Sequence, residues 1–540
     1  MTRRHLFKLP LLMIMNFTLA LGPIASAIPA RSTRELAQRL RAHDSFEIYL
    51  VPEKHNMIVD EDKMFSGWKS HFIRGGAPVE LTHAGTDHNT IHDYDTHVPL
   101  IFSGRPYCEP GHTKERVAIT QVAPTLARLL DVDMVPTPDA PLLKGCQKTT
   151  HEEGPRAVLL IVVDQGGWFT LNQHPGHWPH IKQMMAEGLS FDAAHTDYGG
   201  SGTSASHASL ATGTFPRDNG VFTNEPYFPA LDKASEVYTG PAGIEPNQLL
   251  RATLMDRFLA THQERAVTLA YSSASRAAVG MAGHGSSYRG AAKSQTFWFD
   301  LKKQEFSSDS SLFLEPESAK GKGFDEDAFL RDRQGIWTKQ ECRGRDGRTF
   351  TKCLLGSPAF AKLEGDILVQ AILDQKEKLT KEGSRALVMV SFKGVDYCGH
   401  FLGQESLECR DTLSETDRQI GRLLETMSAL SKGKMVAVIT ADHGVAPLTL
   451  FSKGSMLHDA GLTATLNQKF GGPQHRFSPI KHVMNNSIKI DLGELRTAGH
   501  DLDDLVTFLK DYKIDGRPFF REVLAVDTTI RANARASNVP

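Results

Sequence analysis

Five short apolar runs set the tightest limit on the fold: Val158–Val163, Val267–Tyr271, Ala386–Ser391, Met435–Thr440 and Val98–Ser103. Each is rich in Val, Ile and Leu and lacks polar alternation, as strands buried on both faces do. Helical patterns lie between them. In Glu415–Leu430, Ile420, Leu423, Leu424 and Met427 share one face; in Ile119–Leu130, Ile119, Val122, Leu126, Leu129 and Leu130 do the same. Strands alternating with helices predict an α/β fold, a mostly parallel central sheet with helices on both faces. Such sheets carry their sites beyond the carboxyl ends of the strands. Residues 301–357 are polar, Gly- and Ser-rich and contain Cys342 and Cys353. They read as an inserted cap or lid, or as an inert surface excursion.

At 540 residues the chain can bury a large core. Its 61 basic and 63 acidic residues balance, which gives no reason to expect a nucleic-acid duplex as partner. Residues 1–27 read as an export signal: Arg3, Arg4 and Lys8, an apolar run Leu9 to Leu21, then Ala25-Ser26-Ala27. Arg3-Arg4 also fits a twin-arginine signal. No later stretch has spanning length, so a periplasmic or secreted mature protein without a membrane span is expected. The six cysteines then suggest disulfides. Cys342–Cys353 and Cys398–Cys409 are near enough for local bridges, which leaves Cys108–Cys146, although sequence does not fix the pairing. None forms a C-x-x-C pair, which argues against a thiolate zinc site.

Asp164 follows the first run, in IVVDQ. Asp396 and His400 follow another in SFKGVDYCGH, spaced to share one helical face. Asp442-His443-Gly444 follows a third, in ITADHGV. Alone, each reads equally as a helix cap or a solvated pair. Together, three strand ends bearing metal-capable residues favour a metal site. A fourth stretch, Gly199–Tyr227, opens with Gly199, Gly200, Ser201 and Gly202, which allow close approach to a ligand, then Thr203, then a short helix Ser206–Thr212 stopped by Gly213 and Pro216. A hydroxyl at a helix start faces unpaired N–H groups that favour an anion. A plain Ser/Thr cap explains it as well.

The segments IVVDQ, GGSGTSASHASLATGTFPRDNGVFTNEPY, SFKGVDYCGHFLGQESLE and ITADHGV resemble, in order, those of the alkaline phosphatase superfamily. The nearest branch is the type I phosphodiesterases and single-threonine bacterial alkaline phosphatases. The resemblance implies that Thr203 is the nucleophile, with Ser204 and Ser206 as rival hydroxyls, and that Asn224 donates to a phosphate oxygen. It implies two zinc ions, with calcium or manganese able to substitute. Asp164, Asp442 and His443 would hold one, with Thr203 bound to it; Asp396, His400 and a further His would hold the other.

That last His departs from the family order. The family pattern T-H-G-S-P-x-x-Y-D-T-x-V-P lies downstream of Asp-His-Gly, but here it matches Gly85–Pro99 near the N-terminus. A circular permutation follows: residues 28–148 correspond to the family's C-terminal portion, joined through Lys144–Pro155 to a remainder at 149–540. His88 becomes the sixth ligand, with His92 as rival. The N-terminal segment is then expected beside the strand near Phe519–Val526. A second departure concerns the phosphate clamp, Lys-x-Arg in the family. The matching stretch keeps Arg276 but has Ala274 at the Lys position. Lys393 is either a substitute or simply solvated.

The implied activity is an exported phosphatase that hydrolyses small phosphate monoesters through a phospho-threonine intermediate. Ala274 motivates a phosphodiesterase as alternative, since a diester carries less charge to clamp. A non-catalytic periplasmic metal- or phosphate-binding protein is the other alternative.

Overall fold

The computed structural model describes residues 31–41, 45–60, 67–148, 153–241, 243–325, 336–337, 347–484 and 486–526. The expected export segment and Cys342 lie outside the described residues, as do parts of Lys144–Pro155 and of 301–357.

A ten-stranded sheet runs Glu305–Ser307, Gln295–Asp300, Ala266–Ser272, Arg385–Phe392, Ala157–Val163, Met435–Thr440, Leu100–Ser103, Leu189–His195, His97–Val98, with Gly111–Ala118 also paired to Leu189–His195. From Gln295–Asp300 through Met435–Thr440 the strands are parallel. Four of the five apolar runs thus sit side by side at the centre.

The fifth departs from expectation. Pro99 splits it into His97–Val98 and Leu100–Ser103, and the latter runs antiparallel to Met435–Thr440, with Ile101 opposite Ile439. Proline has no N–H for a ladder. A run buried on both faces also carries no mark of its direction.

The two faces separate residue by residue. Val158, Leu160 and Val162 pack with Leu126, Leu210, Phe258 and Val279, from the helices Val122–Leu129, Thr203–Thr212, Leu254–His262 and Ser275–Ala282. Leu159, Ile161 and Val163 pack with Ile181, Leu368, Ile420 and Leu423, from Pro179–Glu187, Pro358–Asp374 and Leu407–Ser431. The last of these is longer than its apolar pattern because Ser406 caps it, accepting from the Cys409 N–H at 3.2 Å. Within 301–357, Glu305–Ser307 is the edge strand and buries Phe306 in the core.

A second, antiparallel sheet has the order Ile480–Met484, Ser487–Ile490, Ile48–Pro52, Phe520–Ala525. Ile48 lies opposite Ala525 and Leu50 opposite Val523. Leu462 and Leu466 of Asp459–Phe470, and Leu505 and Leu509 of Leu502–Lys510, cover it. Disulfides join Cys108 to Cys146 and Cys398 to Cys409; Cys353 is also disulfide-bonded. Among the described residues no helix is long and apolar enough to cross a membrane.

Candidate metal and phosphate site

Four adjacent parallel strands deliver polar residues at their carboxyl ends. Asp164 follows Ala157–Val163, Lys393 follows Arg385–Phe392, Asp442 and His443 follow Met435–Thr440, and Arg276 follows Ala266–Ser272. Asp396 and His400 sit one turn apart on Gly394–Leu402, with His400 Nε2 3.1 Å from Asp396 Oδ1. The Cys398–Cys409 bond ties that helix to the start of Leu407–Ser431. His88 arrives from the N-terminal segment. Its ring stacks on His443 with centroids 3.7 Å apart and lies 5.2 Å from that of His400. Asp164, Thr203, Asp396, Asp442 and His443 are at most 1% exposed. His92 faces elsewhere: its Nε2 bonds the Pro52 carbonyl at 3.1 Å.

Backbone carbonyls fix the three imidazoles. Nδ1 of His443 bonds Gly444 O at 2.9 Å, that of His400 bonds Thr86 O at 2.9 Å, and that of His88 bonds Ser201 O at 3.0 Å. A carbonyl only accepts, so Nδ1 carries a proton in each ring, and Nε2 is the nitrogen left to face the carboxylates. Asp164 Oδ1, Asp442 Oδ2 and His443 Nε2 are buried with no hydrogen-bond partner. His443 Nε2 lies 3.1 Å from Asp442 Oδ2 and 3.5 Å from Asp164 Oδ1. Buried carboxylate oxygens without hydrogen-bond donors are costly unless a cation, either the protonated His443 or a metal ion, joins them. Among the described residues, Asp164, His207 and Asp442, then His88, Asp396 and His443, then Asp87, His88 and His400 are close enough to hold one. These groups cut across the expected ligand sets, because His88 and His443 lie between the halves.

Electrostatics show the same demand. Burial and the facing Asp442 carboxylate hold Asp164 well above the usual carboxylate range. Burial would lower His443, but Asp442 and Asp164 outweigh it and push the imidazole up to about 9. Burial would raise Asp396, but the Lys393 ammonium and His400 hold it well below the ordinary value.

Thr203 is the first residue of its helix, earlier than the expected start at Ser206, and Gly202 is the cap residue. Its hydroxyl therefore does not cap; Oγ1 receives a hydrogen bond from Lys393 Nζ at 3.2 Å. The rival hydroxyls are engaged elsewhere. Ser206 Oγ bonds Tyr198 Oη at 2.6 Å, and Ser204 donates from N and Oγ to Asn224 Oδ1 at 3.0 and 2.8 Å. With Oδ1 so occupied, Asn224 turns its NH2 the other way. The small residues of this loop make room for protein rather than ligand. A Cβ on Gly199 would come within 2.7 Å of the Tyr49 hydroxyl, and one on Gly202 within 2.9 Å of Asn89 Oδ1. Arg276 stands aside, paired with Glu236 at 3.4 Å, and its Nε is buried without a partner.

Sequence reading missed several groups. Gln165, at φ +64°, donates from N to Asp442 Oδ1 and from Nε2 to Asp396 Oδ1, both at 3.0 Å, so it joins the two halves. Gln404 holds its amide oxygen at 2.7 Å. Asp87 Oδ1 lies 3.8 Å from His88 Nε2 and 3.7 Å from His400 Nδ1. His207, one turn after Thr203, is a neutral spacer: burial lowers it to about 4, and both its nitrogens bond, to Thr203 O and Ser391 Oγ. Only adjacency to predicted ligands marked Gln165, Gln404 and Asp87 in sequence.

Residues 158–526 match the profile of the Type I phosphodiesterase / nucleotide pyrophosphatase family. The chain belongs to that family and is a phosphoric ester hydrolase, which removes the non-catalytic reading. Among its relatives, alkaline phosphatase PafA of Elizabethkingia meningoseptica is 24% identical over 71% of this chain and 77% of its own. A calcium-transporting ATPase of Myroides odoratus is 24% identical over 67% of this chain and 69% of its own. A crystal structure of a substituted PafA shares the fold, with a TM-score of 0.54 at 20% identity, covering 66% of this chain and 76% of that one.

Proposed function

We propose that this chain is an exported, metal-dependent phosphatase that hydrolyses small phosphate monoesters with Thr203 as nucleophile. The observation that carries the reading is the set of partnerless buried atoms, Asp164 Oδ1, Asp442 Oδ2 and His443 Nε2, beside the Lys393 ammonium that spans Asp164 and Thr203. Asp164, Asp442 and His443, with the Thr203 hydroxyl, would hold one divalent ion; Asp396, His400 and His88 would hold the other. Carboxylate and imidazole donors suit zinc, with calcium or manganese as substitutes. When bound, such a pair makes an alcohol a better nucleophile and offsets charge on the leaving oxygen.

The chain's own groups do the rest. Thr203 Oγ1 forms the bond to phosphorus as the ester P–O bond breaks; its hydroxyl proton passes to solvent water, and the leaving alcohol takes one proton back from that water. Water then attacks phosphorus and frees the Thr203 hydroxyl with inorganic phosphate. The Asn224 NH2 and the helix N-terminus meet the non-bridging oxygens. Arg276 would join them by leaving Glu236, its guanidinium matching two oxygens at once. Thr203→Ala tests the assignment: turnover lost with metal retained supports it, and near-normal turnover with metal bound overturns it.

A phosphodiesterase is the second reading, favoured by the family match and by Ala274. Comparing kcat/KM for p-nitrophenyl phosphate and its bis ester separates the two. We also propose that the chain is a circular permutant of its family's usual order. Its support is Ile48–Pro52 paired with Phe520–Ala525, Leu100–Ser103 beside Met435–Thr440, and His88 within the cluster. A chain re-permuted to begin near residue 153 and carry 28–148 at its end is expected to fold and hydrolyse; one that folds without His88 in reach of Asp396 overturns the permutation.

A further inference from the structure

Lys393 is a buried cation at the centre of the site, 1% exposed. Its Nζ lies 2.9 Å from Asp164 Oδ2, 2.7 Å from Asp396 Oδ2 and 3.2 Å from Thr203 Oγ1. The two carboxylates divide their oxygens in the same way. Asp164 turns Oδ1 to His443 and Oδ2 to Lys393; Asp396 turns Oδ1 to His400 and Gln165, and Oδ2 to Lys393. Lys393 therefore takes only the oxygens turned away from the imidazoles, and its third direction is the hydroxyl. Tyr397 walls the ammonium, with Nζ 5.6 Å from the ring centroid.

The strand register shows why position 393 can do this. Ser272 pairs with Ser391 in adjacent parallel strands, so Ala274 and Lys393 leave the sheet at the same height, side by side. Ala274 is buried and offers no charge.

We propose that Lys393 is a catalytic residue of this site, the fixed cation that orients the Thr203 hydroxyl and then contacts the oxyanion being transferred. The assignment rests on the phosphoester-hydrolase reading of the same centre. No proton transfer is involved: the ammonium keeps its three hydrogens and directs one of them to oxygen throughout. Because it stands level with Ala274, it places positive charge where position 274 itself has none.

The test uses Lys393→Met, Lys393→Arg, and Lys393→Met combined with Ala274→Lys, in the full chain. For each, metal content is measured by elemental analysis, kcat and KM with p-nitrophenyl phosphate, and inorganic phosphate affinity by calorimetry. Lys393→Met is expected to keep its metal, lose about 100-fold in kcat and bind phosphate at least about 10-fold more weakly. Lys393→Arg is expected to fall between it and the parent chain, which keeps the test decisive if Lys393→Met does not fold. Adding Ala274→Lys to Lys393→Met is expected to recover at least about tenfold in both measures. An unchanged kcat and phosphate affinity in Lys393→Met, or an activity loss explained wholly by lost metal, overturns the assignment. If the parent chain binds phosphate but hydrolyses no ester, the hydrolase reading fails, and the phosphate affinity of the variants alone decides the role of Lys393.

Discussion

The two halves of the site are built differently. One half, Asp164, Asp442 and His443, comes from two neighbouring parallel strands and holds the three partnerless atoms. The other, Asp396, His400 and His88, draws on a helix and on a segment from the opposite end of the chain, and Asp396 is already bonded to Gln165, Lys393 and His400. The first half is set by the sheet itself: Lys393 meets Asp164 Oδ2, but Asp164 Oδ1, Asp442 Oδ2 and His443 Nε2 make no hydrogen bond. The second is a supported arrangement in which hydrogen bonds satisfy the carboxylate. A cation is therefore needed more for stability in the first half than in the second.

Asp442→Asn should strike this contrast hardest. Loss of kcat by about 1,000-fold, with one metal equivalent gone, is expected from removing several kcal/mol of charge stabilisation. Metal analysis beside steady-state kinetics reads it, and full metal retention would erase the distinction. His88→Ala addresses the second half. About 100-fold lower kcat is expected, partly restored by added metal. His92→Gln should stay within about threefold of the parent, because that ring faces Pro52. Equal effects of the two would remove His88 from the centre.

Gln165→Ala should weaken metal binding about 10- to 100-fold in the second half alone, since it removes the amide that braces Asp396 but keeps the backbone N–H that serves Asp442. An equal loss in both halves would erase the distinction. The smallest effect per step is set by pH. In the first half His443 is pushed up to about 9 and must give up its proton before Nε2 can bind metal. Below that value the affinity should fall about tenfold per pH unit, and above it should level off. In the second half Asp396 is held low, so its carboxylate adds no such slope over neutral pH. Metal release to a chromophoric chelator from pH 6 to 9 should show one steep and one shallower phase.

Much of this centre was legible because each strand end writes its ligands next to an apolar run. Asp164, Asp396, His400, Asp442 and His443 could be placed from periodicity and the carboxyl-end rule together. His88 needed a pattern match, since nothing local says that a segment hundreds of residues away folds beside Asp396. The direction of Leu100–Ser103 was hidden for a related reason: a strand buried on both faces has no polar side to orient it. The glycine-rich loop was read for a ligand, yet the tight approach is made by Tyr49 and Asn89. Gln165 was overlooked because a neutral amide carries no chemistry of its own until two carboxylates flank it. Arg276 could be named but not aimed, since its pairing with Glu236 depends on a loop whose path the sequence does not set.

The strand Ile48–Pro52 lies between Ser487–Ile490 and Phe520–Ala525, so it stays unpaired on both edges until ribosomes have made almost everything else. Such distant partners make for slow maturation, with long-lived sticky intermediates. Synthesis order thus leaves this second sheet open until Phe520–Ala525 has emerged, so its closure should come late, after every named residue of the centre from His88 to His443 has already been made.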